Sequence, residues 1–439
     1  MNCSRRRFLR ASAGLTLLGT IPQSLRAIAT TALSPPNEKI QKAREVALSI
    51  LKPSAKDLEH GFELHADSLV VESYGFAPRA AVDGDAFRAA MEAGASEQEL
   101  SDLREEMTMT RWATDPAERT EFLEAFRAAG VTCIFQNAGE EGNDPLRLIK
   151  RLARFTYATD LMRHEVSKAV KPDDIIAAKK QNKLCLYFTT NGVPLRQQWK
   201  SVRDELGLIR IFHQLGIRMM HLTYNRRNPL GDGCGEPSDG GLSDFGRAAI
   251  EEMNRLGVIV DVAHSGWRTS LEAAKASKKP IVASHTTAAA LHRCVRAKPD
   301  EVIRAICDTG GLVGVCCIPR FLGGAGDIAV FLDHIEYLVK KFGAEHVAIG
   351  TDVAYVSRNE QAEQKKIPKQ TNRPKEPQRW EHLWPTEPAN PAPHATQSLA
   401  WTNWPLFTVG MLQRGLKDGD IRKILGENVL RVARANFDG

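Results

Sequence analysis

The chain has eight cysteines but no C-x-x-C pair, so it carries neither a zinc-finger pattern nor a thioredoxin-type redox motif. Cys3 lies in an N-terminal leader, which leaves an odd seven. Cys133, Cys185, Cys316 and Cys317 sit in apolar, strand-like runs, where cysteine acts as a small core residue. Cys234, Cys294 and Cys307 lie nearer loops or helices, and disulfide pairing stays open. There is no internal repeat. No G-x-G-x-x-G follows the first strand, which counts against an open, doubly wound nucleotide-binding sheet. The apolar run Ala11–Ile21 is too short to span a bilayer. An excess of basic charge is lacking too, despite the formal +6. Arg5, Arg6, Arg7, Arg10 and Arg26 fall in the acid-free leader; without them 54 basic residues face 53 acidic ones. Nothing in this balance argues for nucleic acid or an anionic membrane as partner.

What is present begins with that leader. Ser4-Arg5-Arg6-Arg7-Phe8-Leu9-Arg10 has the form of a twin-arginine export signal. The apolar run follows, and Ala27-Ile28-Ala29 reads as the cleavage site. Residues 1–29 are therefore expected to be removed. The mature chain, from about Thr30, is expected in a periplasm or outside the cell.

The remaining chain, 30–439, reads as one (β/α)8 TIM-like barrel of the metal-dependent hydrolase type. A helical arm over Glu38–Ser54 precedes it. Eight β runs then follow: Phe62–Val70, Val131–Gln136, Lys183–Thr189, Ile217–Thr223, Val258–Ala263, Ile281–Ser284, Leu312–Cys317 and Val347–Gly350. Amphipathic helical stretches separate most of them, which is the barrel pattern. Insertions follow strand one (about 77–115) and strand eight (about 356–396). The second holds Trp380, His382 and Trp384 between prolines. Because loops after barrel strands line the active site, it is expected to form an ordered lid or contact arm.

The chemistry concentrates between Gly257 and His285. Val258–Ala263 ends in His264, a helix-like interval from Trp267 to Lys279 follows, and Pro280–Ser284 ends in His285. That is a parallel βαβ unit with a histidine at the C-terminal end of each strand, where barrels place their chemistry. Two neutral imidazoles there can share a metal ion, most often zinc. The first strand run is read as ending His65-Ala66-Asp67; in a strand, residues i and i+2 share a face, so both could grip a cation. Asp352 follows strand eight, placed to take a proton from water or to ligate a metal; the bland alternative is a helix N-cap.

These residues resemble the membrane dipeptidase (renal dipeptidase) family of zinc peptidases. The resemblance rests on His65-Ala66-Asp67, Leu222-Thr223-Tyr224-Asn225 with Asn228-Pro229-Leu230, and Gly241-Leu242-Ser243-Asp244-Phe245-Gly246. It continues through Asp261-Val262-Ala263-His264-Ser265, Ser284-His285-Thr286, Ile349-Gly350-Thr351-Asp352 and Ile424-Leu425-Gly426-Glu427-Asn428. It implies that His65 and Asp67 ligate one Zn2+ and His264 and His285 a second. Asp352 would match the family's strand-eight acid, and Arg296 the arginine that holds the substrate carboxylate. A glutamate on strand three bridges the two metals in the family. Here Asn191 takes that position counting from Lys183, or Thr190 counting back from Leu195, and both are neutral. Tyr224 stands where the family has a histidine that contacts the oxyanion. Glu140 and Glu141 offer a substitute carboxylate, or are solvated loop acids.

The expectation is an exported metallohydrolase that cleaves a dipeptide with a metal-activated water. Asp352 and Tyr224 would be its catalytic residues, Arg296 and Asn191 its substrate contacts, and one or two Zn2+ its cofactor. A homodimer stays open as the assembly. Two alternatives stand beside it: a divergent amidohydrolase acting on another amide or ester with one metal, and a non-catalytic periplasmic binding protein on the same fold. The neutral residue at the bridging position points to nearer one tightly held metal than two.

Overall fold

The structure, a computed structural model, describes residues 37–139, 144–368 and 392–437. The leader, Glu140, Glu141, Trp380, His382 and Trp384 lie outside the described residues.

Eight strands form the barrel: β1 (Val71–Gly75), β2 (Cys133–Gly139), β3 (Leu184–Thr190), β4 (Ile217–His221), β5 (Ile259–Asp261), β6 (Val282–Ala288), β7 (Leu312–Val315) and β8 (Val347–Ile349). Each pairs in parallel with the next from β1 through β8. Two short strands flank them, Val166–Lys168 beside β3 and Ala297–Lys298 beside β6. Seven of the eight sequence-derived strands thus fall where expected, within a few residues.

The strands alternate as the two-residue period demands. Val71, Phe135, Tyr187, Met219, Ile259, Val282, Leu312 and Ala348 form one buried cluster inside the barrel. Their neighbours Ile134, Leu186, Val260, Val313 and Ile349 face the helices in a second cluster. Val429, Val432 and Ala433 of the last helix, Asn428–Asn436, join the inner cluster and plug the N-terminal end of the barrel.

The interior is narrow, and two glycines permit it. A Cβ on Gly314 or Gly350 would sit 2.0 or 2.1 Å from the Ser284 carbonyl oxygen. That carbonyl accepts from Ser73 Oγ of β1 at 2.7 Å. It points inward because β6 breaks register between Ala283 and Thr286. Irregularities of this kind re-aim side chains, and here the residues between are Ser284 and His285.

Glu72 ties β1 to the chain after β8. Its carboxyl accepts from the Thr351 amide at 3.2 Å, from the Thr351 hydroxyl, and from Trp401 Nε1 at 2.8 Å. The two insertions also meet. Gly84 N donates to Glu363 at 2.8 Å, and Lys366 pairs with Asp85 at 3.0 Å. The described parts of the strand-eight insertion hold the helix Glu360–Lys366 and the start of the helix Pro393–Ser398.

Strand one is the correction. Phe62–Asp67 is the end of a helix, Ala55–Asp67, begun by Ser54, whose side chain accepts from Asp57 N. Phe62, Leu64 and His65 are buried on one face of that helix. The strand itself starts later, at Val71, and carries a glutamate in its interior. All seven cysteines among the described residues are free thiols, including Cys133 and Cys185, which stand opposite one another on β2 and β3.

Candidate metal centre

Parallel strands deliver their last residues to one end of the barrel, and five of them converge there. His221 ends β4, Asp261 ends β5, His264 follows it, His285 lies on β6 and Tyr74 on β1. All five are buried.

His264 and His285 meet as the sequence suggested, Nε2 to Nε2 at 2.9 Å. The tautomer of His264 follows from its neighbours. Its Nδ1 faces Asn225 Oδ1 at 2.6 Å, and an amide oxygen only accepts, so Nδ1 carries the proton. Its Nε2 therefore presents a lone pair, to which Arg296 Nη2 donates at 3.3 Å. His285 Nδ1 lies 2.8 Å from Ser284 Oγ. Burial, then the Arg296 charge, holds both imidazoles well below the ordinary histidine range, so both are neutral at neutral pH.

A third histidine joins the pair. One ring nitrogen from each of His221, His264 and His285 lies within 4.8 Å of those of the other two. His221 Nε2 lies 2.7 Å from Asp261 Oδ2. The line between them is off the hydrogen-bonding direction, however, so both ring nitrogens of His221 and Asp261 Oδ2 lack a hydrogen-bond partner. Asp261 Oδ1 accepts from Ala263 N at 2.9 Å and Ser284 N at 3.1 Å. Burial alone would raise the Asp261 carboxyl; His221 and Ser284 outweigh it and hold the group below its usual value. A buried imidazole without a hydrogen-bond partner, facing two neutral imidazoles beside a carboxylate, completes a donor set suited to a cation.

The other expected residues divide. Asp352 follows β8 with a left-handed φ of 58°, which aspartate tolerates. It is not a helix N-cap: the next helix begins at Glu360. Loss of hydration raises its carboxyl to about 6, moderated by Arg296 and His221. Tyr224 packs its ring 4.4 Å from that of His264. Arg296 is buried, donating to the carbonyls of Ala263 and, at 3.1 Å, His285. Asn191 stands one residue beyond β3, and its Oδ1 accepts from the Tyr74 hydroxyl at 2.6 Å.

His65 and Asp67 are not brought to the site. They precede β1, at the opposite end of the barrel. His65 is buried with Nδ1 2.9 Å from Thr408 Oγ1 and Nε2 2.9 Å from the Ala129 carbonyl; Asp67 is exposed. At the end of β1 the site instead receives Tyr74, whose ring stacks on His285 at 3.8 Å and 15°.

Sequence reasoning missed His221, Asp261, Tyr74 and Lys298. A histidine closing the β4 run was a readable signal for the first. Lys298 is buried and donates to the Ser265 carbonyl and, at 3.1 Å, to Ser270 Oγ; burial lowers it to about 8.

A (β/α)8 barrel with histidines and an acid converging at its strand ends defines the class of metal-dependent hydrolases. Comparison narrows this. The membrane dipeptidase family (peptidase family M19) matches residues 95–368, and the chain belongs to that family. A dipeptidase of Claviceps purpurea is 25% identical over 325 residues, 73% of this chain and 63% of that protein. An uncharacterized dipeptidase of Schizosaccharomyces pombe is 33% identical over 189 residues, 41% of this chain and 44% of that protein. The matches thus span less than two thirds of these relatives' length. Among solved structures, an amidohydrolase of Pseudomonas aeruginosa superposes with a TM-score of 0.63 at 26% identity, covering 86% of this chain and 99% of that one. A metallo peptidase of Rhodobacter sphaeroides, liganded with a phosphinate mimic of the dipeptide L-Ala-D-Ala, shares the fold with a TM-score of 0.59 at 16% identity, over 84% and 100% of the two chains.

Proposed function

We propose that the protein is an exported, metal-dependent hydrolase of the dipeptidase type. The observation that carries the reading is the facing pair His264 and His285, 2.9 Å apart at strand ends, in a chain of the dipeptidase family. Zinc is the metal that such imidazoles take most often; when bound, it polarises a carbonyl and lowers the pKa of water.

The chain's own residues supply the rest. Asp352, raised to about 6, is poised to accept a proton near neutral pH and return it to a leaving amine. Tyr224, its ring tilted 33° against that of His264, offers a phenol to a developing oxyanion. Arg296 holds its charge in a buried setting, and a substrate carboxylate would compete with His264 for its Nη2. Asn191 has its oxygen engaged by Tyr74, which leaves its amide nitrogen to donate to substrate. The twin-arginine pattern in residues 1–29 supports export to a periplasm or beyond.

A second reading, a hydrolase of another amide or ester, is favoured by the neutral phenol and amide that meet beside His285 from β1 and β3. One experiment separates the two. The mature chain from Thr30, loaded with zinc, is given a panel of free dipeptides, N-acyl amino acids and simple esters. Turnover confined to free dipeptides, abolished by a chelator, is expected. Turnover only of the others supports the second reading; none, from folded and metal-loaded protein, removes both.

A further inference from the structure

Resting on that reading of the site as a metal centre, we propose that the chain holds a single ion in a cradle of three histidines, with His221 the third ligand. His221 sits at the end of β4 with no exposed surface, and neither ring nitrogen has a hydrogen-bond partner. Burying a polar side chain in that state is costly, and such groups in folded proteins call for a ligand or a functional reason.

The three rings are arranged around one point. Their centroids lie 5.2, 5.4 and 4.9 Å apart for the pairs His221–His264, His221–His285 and His264–His285. Their planes cross at 78°, 79° and 60°, so no two are stacked. A tetrahedral ion with metal–nitrogen bonds near 2.0–2.1 Å needs nitrogens about 3.3 Å apart. The facing nitrogens of His264 and His285, at 2.9 Å, need to open only slightly. Three imidazoles and one open position are the ligand set of a catalytic rather than a structural zinc site.

Each ring has a group beside one nitrogen: a hydrogen bond with Asn225 for His264 and with Ser284 for His285, and for His221 the Asp261 carboxylate, 2.7 Å from Nε2 but not aligned for a hydrogen bond. A carboxylate against one nitrogen of a histidine orients the other and raises its basicity towards a metal. Asp261 is itself pinned by two backbone amides, so its position does not depend on His221. It also brings negative charge to a cluster that contains Arg296 and Lys298, while Asp352 supplies a second carboxyl.

The residues packed against the cradle do not suit a second ion. Tyr74 covers one face of His285, and its hydroxyl is bonded to Asn191. A neutral phenol and a neutral amide are poor ligands for a divalent cation and cannot offset the repulsion between two of them. His65 and Asp67, at the other end of the barrel, cannot contribute.

Cobalt(II) substitution of the mature protein tests this independently of turnover. Metal analysis is expected to give one equivalent, with an intense four-coordinate visible spectrum. Proton NMR of the cobalt protein should show three hyperfine-shifted, exchangeable imidazole N–H signals. His221→Ala should weaken cobalt binding more than 100-fold, and Asp261→Asn by 10–100-fold, the usual effect of losing the partner behind a ligand. Two equivalents, two shifted signals, or a His221→Ala protein with unchanged affinity and spectrum would each overturn the proposal. The NMR count uses the unmutated chain, so it stands even where His221→Ala does not fold. A protein with one cobalt and three imidazoles that hydrolyses nothing upholds the cradle and sinks the reaction; one that cleaves dipeptides with two metals does the reverse.

Discussion

Arg296 points Nη2 at His264 Nε2 across 3.3 Å, so the lone pair that would ligate a metal is engaged by a guanidinium. The same guanidinium also donates to the carbonyls of Ala263 and His285. It can release the histidine without losing its place. Metal binding and the arginine contact therefore compete for one nitrogen.

That competition gives the first prediction. Arg296→Gln removes both the competing donor and a buried cation, so metal affinity should rise, by about 10-fold for a ~1.4 kcal/mol change. Arg296→Lys cannot reproduce a bidentate carboxylate contact and should raise KM for a free dipeptide far more than for its C-terminal amide. Metal titration and paired KM measurements check both. An unchanged affinity removes the competition, and equal KM effects remove Arg296 from substrate binding.

The paired histidines give the second. His264→Ala or His285→Ala should each release the metal, with a loss greater than the 10–100-fold caused by removing a partner behind a ligand. His65→Ala and Asp67→Asn should leave metal content unchanged, although the first loses two buried hydrogen bonds and should destabilise the fold by roughly 1–3 kcal/mol. Elemental analysis of the four variants decides between the two pairs.

Glu72 makes stability depend on pH. Burial raises its carboxyl from 4.5 to about 8, against hydrogen bonds from Thr351 and Trp401. The folded chain thus keeps a proton that the unfolded chain gives up. The stability from this difference is complete below 4.5 and is lost as pH rises towards 8. Glu72→Gln has no such proton. Between about pH 5 and 8 the Tm of the natural protein should fall relative to that of the variant. Parallel Tm profiles would contradict the assignment.

Gly314 links packing to the site. A methyl there would press within 2.0 Å of the Ser284 carbonyl, whose bulge aims His285. Gly314→Ala should cost about 1–3 kcal/mol of stability and should also weaken metal binding. Loss of stability with unaltered affinity would show that the bulge does not set the His285 position.

What the sequence determined by itself is local or periodic. Apolar β runs separated by amphipathic helices specify a barrel, because a parallel strand buried on both faces needs continuous apolar sequence. One βα unit between His264 and His285 is enough to set both on neighbouring strand ends. Strand one is ambiguous in the sequence because Phe62, Leu64 and the residues around them suit a strand or a buried helix face. Ser54 capping Asp57 N decides for the helix, and Glu72 disguises the true strand until Thr351 and Trp401 are seen to hold it. What joins His221, Tyr74 and Asn191 to His264 and His285 was decided only by the tertiary structure. His221 and His264 are 43 positions apart and Tyr74 and Asn191 are 117 apart. No periodicity relates them. They meet because parallel strands bring every C-terminal end to one rim, and because a narrow interior forces the side chains there into contact.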